Sequence, residues 1–596
     1  MGVFSKLKPR EASPVSATGG ITGPDMENKT AHATDDAVNS NDGETSSHDD
    51  NVPTEDAQDG VKEVEGMTLS WSKKSLIAVF ANIWLLYFVN AFQGSILYNL
   101  IPYATSEFDS HSLVNVIYVV AASMSAATYI PLSKILDVFG RAEGFLLMLV
   151  FATLGLILMA CSNGIAVFCA AYVFYSIGFG GMTYCVDVIT ADATHVRNRG
   201  LAFAFTSSPY MITAFAGAKA AEGFYENISW RWGFGTFSIV LPVVALPLFF
   251  ILKYNVKKAK NLGVLGREKS NRTVVESIWF YIVQFDLLGL FLFSAGLVIF
   301  LLPFNIADSA PQGWKSGYII AMLVLGFVLL VVFGLYETFL APVPMLNFAT
   351  LANRTVVGAC LLDATYQISY YCWANYFSSF LQVVNNLSIS EAGYVGNTFD
   401  VVSGVLLLLV GYAIRRTGRF KWLLYIAVPL YVFTQGLMIY FRRPNQSVGY
   451  LVMCQVFISI GGCIFIIVQQ VSILAAVDHQ HVAAALALLN VVGTTGNAMG
   501  ATISGAIWTN TFYKALVKFL PESALENIDA IYEDLDTQLS YEPGTAERLG
   551  IQEAYGYTQT RMLAAGLGIM GLSFFWVLLI RNINLAKIKQ VKGMVW

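Results

Sequence analysis

The chain has 596 residues, 56% of them hydrophobic and only 13% charged, with a formal net charge of -4 and a mean hydropathy of +0.58. Soluble domains carry about 25% charged residues, so this composition excludes an ordinary soluble protein and implies a membrane one. The net charge says little, because the acids are concentrated in two soluble segments.

Residues 1–72 are rich in Ser, Thr, Asp, Asn and Glu and poor in large apolar side chains. They bury too little to offset ordering entropy, and a disordered cytoplasmic tail is expected. Fourteen apolar runs follow, each long enough to span a hydrocarbon core as a helix. They cover about 75–97, 112–136, 142–162, 164–190, 198–222, 232–252, 285–305, 316–338, 355–383, 391–414, 420–441, 448–475, 482–510 and 558–581. The first is too long and begins too late for a signal peptide. The expected organisation is all-α: an N-terminal six-helix bundle at 73–252, a basic cytoplasmic linker at 253–284, two extra helices at 285–340, a C-terminal six-helix bundle at 353–581 and a cytoplasmic tail at 582–596.

The two bundles read as copies of one another. Ser133-Lys134-Ile135-Leu136-Asp137-Val138-Phe139-Gly140-Arg141 recurs, 278 residues on, as Gly411-Tyr412-Ala413-Ile414-Arg415-Arg416-Thr417-Gly418-Arg419. Each stretch lies between two apolar runs and reads as a tight turn between membrane helices. Duplicated six-helix units are how many secondary transporters are built. Of the 36 Lys and Arg, 22 fall in loops on the side of the termini and eight in loops on the other side. This asymmetry predicts cytoplasmic termini. The segment 511–557 interrupts the second copy, faces outside, and carries an acidic excess with helix-like patterning. A long ordered loop in a compact protein is usually functional. Its Phe512, Tyr513, Tyr555 and Tyr557 are candidates to hold cargo at the outer mouth, or simply pack the loop. Gly496 and Gly500 have the close-packing spacing of membrane helices.

Charged side chains deep in a span cost at least about 2.5–3.5 kcal/mol, so they face the bundle interior and serve a purpose. Asp363 and Asp400 are the clearest cases and are expected to couple transport to protons. Asp363, Tyr366, Tyr370, Trp373 and Phe377 follow steps of 3, 4, 3 and 4, one stripe of a helix. With Gln367, Tyr371, Asn375 and Gln382 they are the expected cavity wall, rings with polar tips that offer wide contact area. Asp137, Arg141, Asp192, Arg197 and Arg416 are expected to form cytoplasmic ion pairs that hold an inner gate. The seven cysteines all lie in or beside spans and give no disulfide framework or zinc pattern. No nucleophile–base pair, phosphate loop or HExxH motif is present, so an enzyme is not expected.

The duplicated turn resembles the loop signature of the major facilitator superfamily: Gly, four residues to Asp, then basic, any, Gly, basic. Asp137, Gly140 and Arg141 match the first copy, with Ser133 for the Gly and Val138 for a basic residue. Gly411, Arg416, Gly418 and Arg419 match the second, with Arg415 in the acid position. Within the superfamily the chain resembles the fungal siderophore-iron transporters, over about residues 70–590. The resemblance is most specific at Asp192–Pro209, at Trp230–Gly235 and in the insertion beginning at Trp508. It implies fourteen spans and proton-coupled uptake of ferric siderophore by alternating access, with fusarinine-type hydroxamates the nearest cargo. It further implies a monomer in the plasma membrane or endosomal vesicles, no nucleic-acid partner, and no resident cofactor, since iron travels only as chelate. Proton-coupled exchange of another organic anion such as glutathione, and a non-transporting nutrient receptor, remain open. Fourteen-span drug antiporters have a Gly-Pro-rich motif in span five and a buried Arg in span four. Here Ser207-Ser208-Pro209 and Phe174 stand in those places.

Overall fold

A computed structural model describes residues 59–108, 114–262, 273–307, 310–342, 353–478, 481–588 and 595. Residues 1–58 of the expected tail and 263–272 of the expected linker lie outside them. The fold is all-helical. The N-terminal bundle is α1 (Asp59–Ser70), α2 (Lys73–Ser106), α3 (Val114–Phe139), α4 (Arg141–Ala160), α5 (Ile165–Asp192), α6 (Val196–Ser207), α7 (Tyr210–Asn227) and α8 (Trp230–Asn261). Next come α9 (Val274–Gln284), α10 (Leu287–Leu301), α11 (Pro303–Ile306) and α12 (Gly317–Phe339). The C-terminal bundle begins with α13 (Arg354–Ala374), α14 (Phe377–Asn385), α15 (Ile389–Gly396) and α16 (Thr398–Thr417). It continues through α17 (Lys421–Phe441), α18 (Val448–Leu474) and α19 (Val482–Phe519), and ends with α20 (Ile528–Glu533), α21 (Leu535–Ser540), α22 (Ala546–Met570) and α23 (Ser573–Leu579).

Among the described residues, twelve helices are long and apolar enough to cross a membrane, against fourteen expected. The fifth and ninth expected spans are the two that fall short. The fifth is broken at Ser208-Pro209 into α6 and α7, and α7 carries Lys219, Glu222 and Glu226. The ninth is broken after Ala374 into α13 and α14, and α13 is rich in polar groups, Asp363 and Gln367 among them.

The expected disorder ends sooner than residue 72. Residues 59–70 form α1 because Val61, Val64 and Met67 share one buried face and Gly60 lets the backbone lie against the carbonyls of Leu136 and Asp137. Glu63 also pairs with Lys260 at 2.6 Å. The expected linker is helical at both ends, where α8 continues to Asn261 and α9 starts from a Thr273/Glu276 capping box.

The duplicated turns are alike in backbone as well as in sequence. Gly140 and Gly418, equivalent in the repeat, have φ of +109° and +66°, conformations that favour glycine. Gly411 approaches the other bundle so closely that a Cβ would lie 2.8 Å from the Gly200 carbonyl oxygen. The bundles meet along two seams, α3 against α19 and α6–α7 against α15–α16. The extra helix α10 packs on α3, and α11 on α19. Along α13, Gly493, Gly496 and Gly500 of α19 touch Asp363, Ala364 and Ile368, the helix contact expected of that spacing.

Asp137, Arg141 and Asp192 come together, Arg141 reaching the two acids at 2.9 and 3.1 Å. All three belong to the N-terminal bundle, so the expected ion pairs form and brace that bundle without bridging the seam. Arg197, donating to the Arg415 carbonyl at 2.9 Å, does cross it. Arg416 is exposed and joins none of the ion pairs among the described residues. Removing one partner of a buried pair costs about 3–5 kcal/mol. Arg141→Met is therefore expected to lower Tm in detergent by several degrees, and Arg416→Met to leave it unchanged, by thermal-shift measurement.

Candidate functional site

Between the bundles lies a chamber of about 410 Å³. Its rings come chiefly from the N-terminal bundle: Tyr98 of α2, Tyr118 and Tyr129 of α3, and Tyr172, Tyr175 and Phe179 of α5. The C-terminal bundle adds Tyr370 and Tyr371, with Asn375, Thr494 and Asn497. None of the lining residues carries a formal charge. Tyr118 stands edge-on to Tyr172 at 5.8 Å, and Tyr370 edge-on to Tyr371 at 5.2 Å, so the rings hold each other in place.

Two smaller cavities share walls with this chamber. One, of about 150 Å³, shares Tyr98 and Tyr370 and is also lined by Tyr210, Asn397, Phe399 and Asp400. The next, of about 230 Å³, shares Tyr210, Phe399 and Asp400 and reaches Tyr87, Asp187, Ser207 and Gln470. A helix break opens on each of the three: Asn375, Asn397 and Ser207 stand at interruptions of the helical chain. Irregular backbone in a membrane is tolerated where it lines a cavity.

The predicted stripe on α13 divides. Tyr370 reaches the chamber, as do Tyr371 and Asn375. Tyr366 packs into the C-terminal bundle against Tyr431 and Phe465. Trp373 and Phe377 lie under the guanidinium of Arg442, at 4.6 and 4.0 Å. Here the wall is formed by Tyr370, Tyr371, Ala374 and Asn375, a face rotated from the stripe, and the helix break after Ala374 separates only Phe377 from the others. Asp363 is buried and lines none of the three cavities. It sits against Gly493 with Gln367 as a hydrogen-bond partner. With the Gln469 amide in the orientation that satisfies both its atoms, Nε2 donates to Asp363 at 3.1 Å. Asp400, half-exposed, faces two of the cavities.

The seam is bonded on both sides of the chamber. Towards the duplicated turns, Tyr184 Oη donates to the Ala483 carbonyl at 2.8 Å and Gln470 Nε2 to Asp187 at 3.4 Å. Towards the insertion, Tyr98 Oη donates to the Ala374 carbonyl at 3.4 Å, Asn375 to Asn115, and Tyr103 to Gln382.

In the insertion, Trp508 is stacked between Tyr376 and Phe512, at 3.9 and 4.0 Å, with Tyr555 edge-on. Phe512 and Tyr555 are fully buried; they form the insertion's own core. Tyr513 Oη donates to Asp529 at 3.1 Å, and Tyr557 lies under Arg561.

Three groups escaped the sequence reading. The ring row of span four repeats the 4, 3, 4 steps of span nine, at Phe168, Tyr172, Tyr175 and Phe179. Asp187 lies in the same run and meets the criterion applied to Asp363; Tyr87 Oη donates to it at 2.8 Å. Arg442, counted with a loop, is completely buried; no local signal separates it from exposed Arg443.

A model of the Major Facilitator Superfamily matches residues 83–376. The chain is 58% identical to "Siderophore iron transporter mirB" of Emericella nidulans over 92% of this chain and 91% of that one. It is 56% identical to "MFS siderochrome iron transporter 1" of Gibberella zeae over 96% and 93%. Among solved structures it is similar to a bacterial homolog of the human lysosomal transporter Spinster, inward-facing and unoccupied, with a TM-score of 0.52 at 15% identity, covering 85% of this chain and 98% of that one. That likeness concerns the fold.

A Cβ at Gly94, which lines two of the cavities, would meet nothing within 4 Å. Gly94→Trp is expected to leave the fold intact, with Tm in detergent unchanged by thermal shift, while its ring fills space that the two cavities share.

Proposed function

Because the chain belongs to the siderophore iron transporter family of the major facilitator superfamily, we propose that it takes up ferric siderophore of the hydroxamate type across a fungal membrane, by proton-coupled alternating access. The observation that carries this reading is the uncharged, ring-lined chamber between the bundles. Three hydroxamates, each with one negative charge, neutralise ferric iron, so the chelate enters with no net charge. Its carbonyl and amide edges suit tyrosine hydroxyls and the amides of Asn375 and Asn497, and its apolar arms suit ring faces. A free organic anion such as glutathione would leave its charge unmatched, since no cation lines the wall.

The two broken spans complete a fourteen-span arrangement, with the duplicated turns and both termini on the cytoplasmic side of the plasma membrane. The bundles rock about the chamber, so that the bonds on one side of it part while those on the other hold. Asp400, open to the cavities on the turn side, takes up the coupling proton. Asp363, away from them, serves the packing of α13 on α19.

Iron uptake by cells lacking other siderophore carriers tests this. Accumulation of a radiolabelled ferric trihydroxamate is expected to collapse with a protonophore. Asp400→Asn should lose at least about tenfold in protonophore-sensitive uptake, in line with the loss of an essential proton carrier, and Asp363→Asn should keep most of it. Undiminished, protonophore-sensitive uptake in Asp400→Asn would remove Asp400 from the role.

A further inference from the structure

The first span and its repeat equivalent differ in one respect. α2 runs unbroken for 34 residues, whereas the equivalent helix of the C-terminal bundle is cut at Asn375-Tyr376 into α13 and α14. Three of the seam bonds towards the insertion come from around this cut and from α14: those at Ala374, Asn375 and Gln382. The cut and the short segment thus supply part of what the C-terminal bundle presents to α2 and α3 on that side, beside α19 on α3 and α21 on α2.

Cutting a helix leaves carbonyls without partners, and two buried arginines supply donors. Arg442, 0% exposed, donates through Nη1 to the Trp373 carbonyl at the end of α13 and to Gln559 Oε1, at 3.4 and 3.0 Å. Its guanidinium lies on the rings of Trp373 and Phe377, one on each side of the cut. Arg548, 2% exposed, donates to the Gln382 carbonyl and to Asn386 Oδ1, both at 3.2 Å, at the end of α14. From the same helix Gln552 Nε2 covers the Val383 and Val384 carbonyls at 3.1 and 3.2 Å.

Neither arginine joins an ion pair among the described residues. Each instead sits at a helix C-terminus, where the aligned peptide dipoles present negative partial charge. The planar fork of arginine bonds a carbonyl and stacks on a ring at once; lysine does not.

The geometry points to Arg442 and Arg548 as the positioning residues of an outer gate formed by α14. They hold the segment so that Asn375 and Gln382 meet the N-terminal bundle. The inference rests on the transport reading above for what passes the gate, but not for the gate itself. Its movement is read without cargo.

The test uses full-length protein in which the native cysteines are replaced and Gly94→Cys places a thiol in the chamber. A membrane-impermeant maleimide is applied from the insertion side. Arg442→Gln and Arg548→Gln are expected to raise the labelling rate about tenfold, the loss of a charged hydrogen bond, and Arg442→Lys and Arg548→Lys to do the same. Wild-type rates in all four variants at normal surface abundance would overturn the proposal, as would restoration of the wild-type rate by lysine. Should the arginine variants not reach the membrane, Gln552→Leu and Gln559→Leu decide: faster labelling, by about threefold for a neutral bond, supports it, and wild-type rates in both overturn it. Faster labelling in the variants, where protein of unaltered sequence accumulates no ferric chelate, would refute the substrate reading alone.

Discussion

The arrangement depends on one constraint: a polar group buried in an apolar slab must have a partner. An unbroken helix satisfies its own backbone, and most of this chain obeys that rule. Departures occur where a cavity or a side chain takes over the task. The cut at Asn375 opens on the chamber, that at Asn397 on the cavity beside it, and Ser207 on the one beyond. Asn397 shows the repair in detail, its amide donating to Ser95 Oγ and to the Ala214 carbonyl, both at 2.9 Å. Interrupted helices therefore add Asn375, Asn397 and Ser207 to the tyrosine hydroxyls that unbroken helices already bring to the interior.

The same constraint shapes the seam. Within each bundle, helices approach through glycine and large interlocking side chains, and the well-buried ion pairs of Arg141 with Asp137 and Asp192 stay inside one bundle. Across the seam the polar contacts include the hydrogen bonds of Tyr184, Arg197, Asn375 and Asn397, beside close backbone approaches such as Gly200 on Gly411. Individual hydrogen bonds are worth about 0.5–1.5 kcal/mol net. Hydrogen bonds of this size, beside the helix packing of α3 on α19, add little polar cost to parting one side of the chamber while the other holds.

Helix existence and the repeat were legible because they rest on local chemistry. Apolar run length marks a span, and the equivalence of Gly140 and Gly418 follows from a turn that requires positive φ in both copies. The acids were legible as a class, since charge in a span is always notable, yet their depth was not: Asp363 turns into the C-terminal bundle while Asp187 and Asp400 face a cavity. Ring spacing on α13 marked one residue of the chamber wall, Tyr370, whereas Tyr366 and Trp373 of the same stripe turn into the C-terminal bundle, and the cut after Ala374 has no proline to announce it. Span five did announce its own, at Pro209. Arg442 was hidden for another reason, as its burial depends on rings far along the chain and on α22. Helix α1 was hidden because three apolar residues in a polar tail acquire meaning only once Leu136 and Asp137 offer a surface.

Two six-helix bundles that turn about a shared chamber open one end of their seam as they close the other. The direct measurement is a pair of spin-label distances in reconstituted protein, one across the seam beside the duplicated turns and one across it beside the insertion, each with and without ferric trihydroxamate. Opposite changes are expected, one distance growing as the other shrinks. Distances that stay fixed, or that grow together, while the protein transports would contradict this motion.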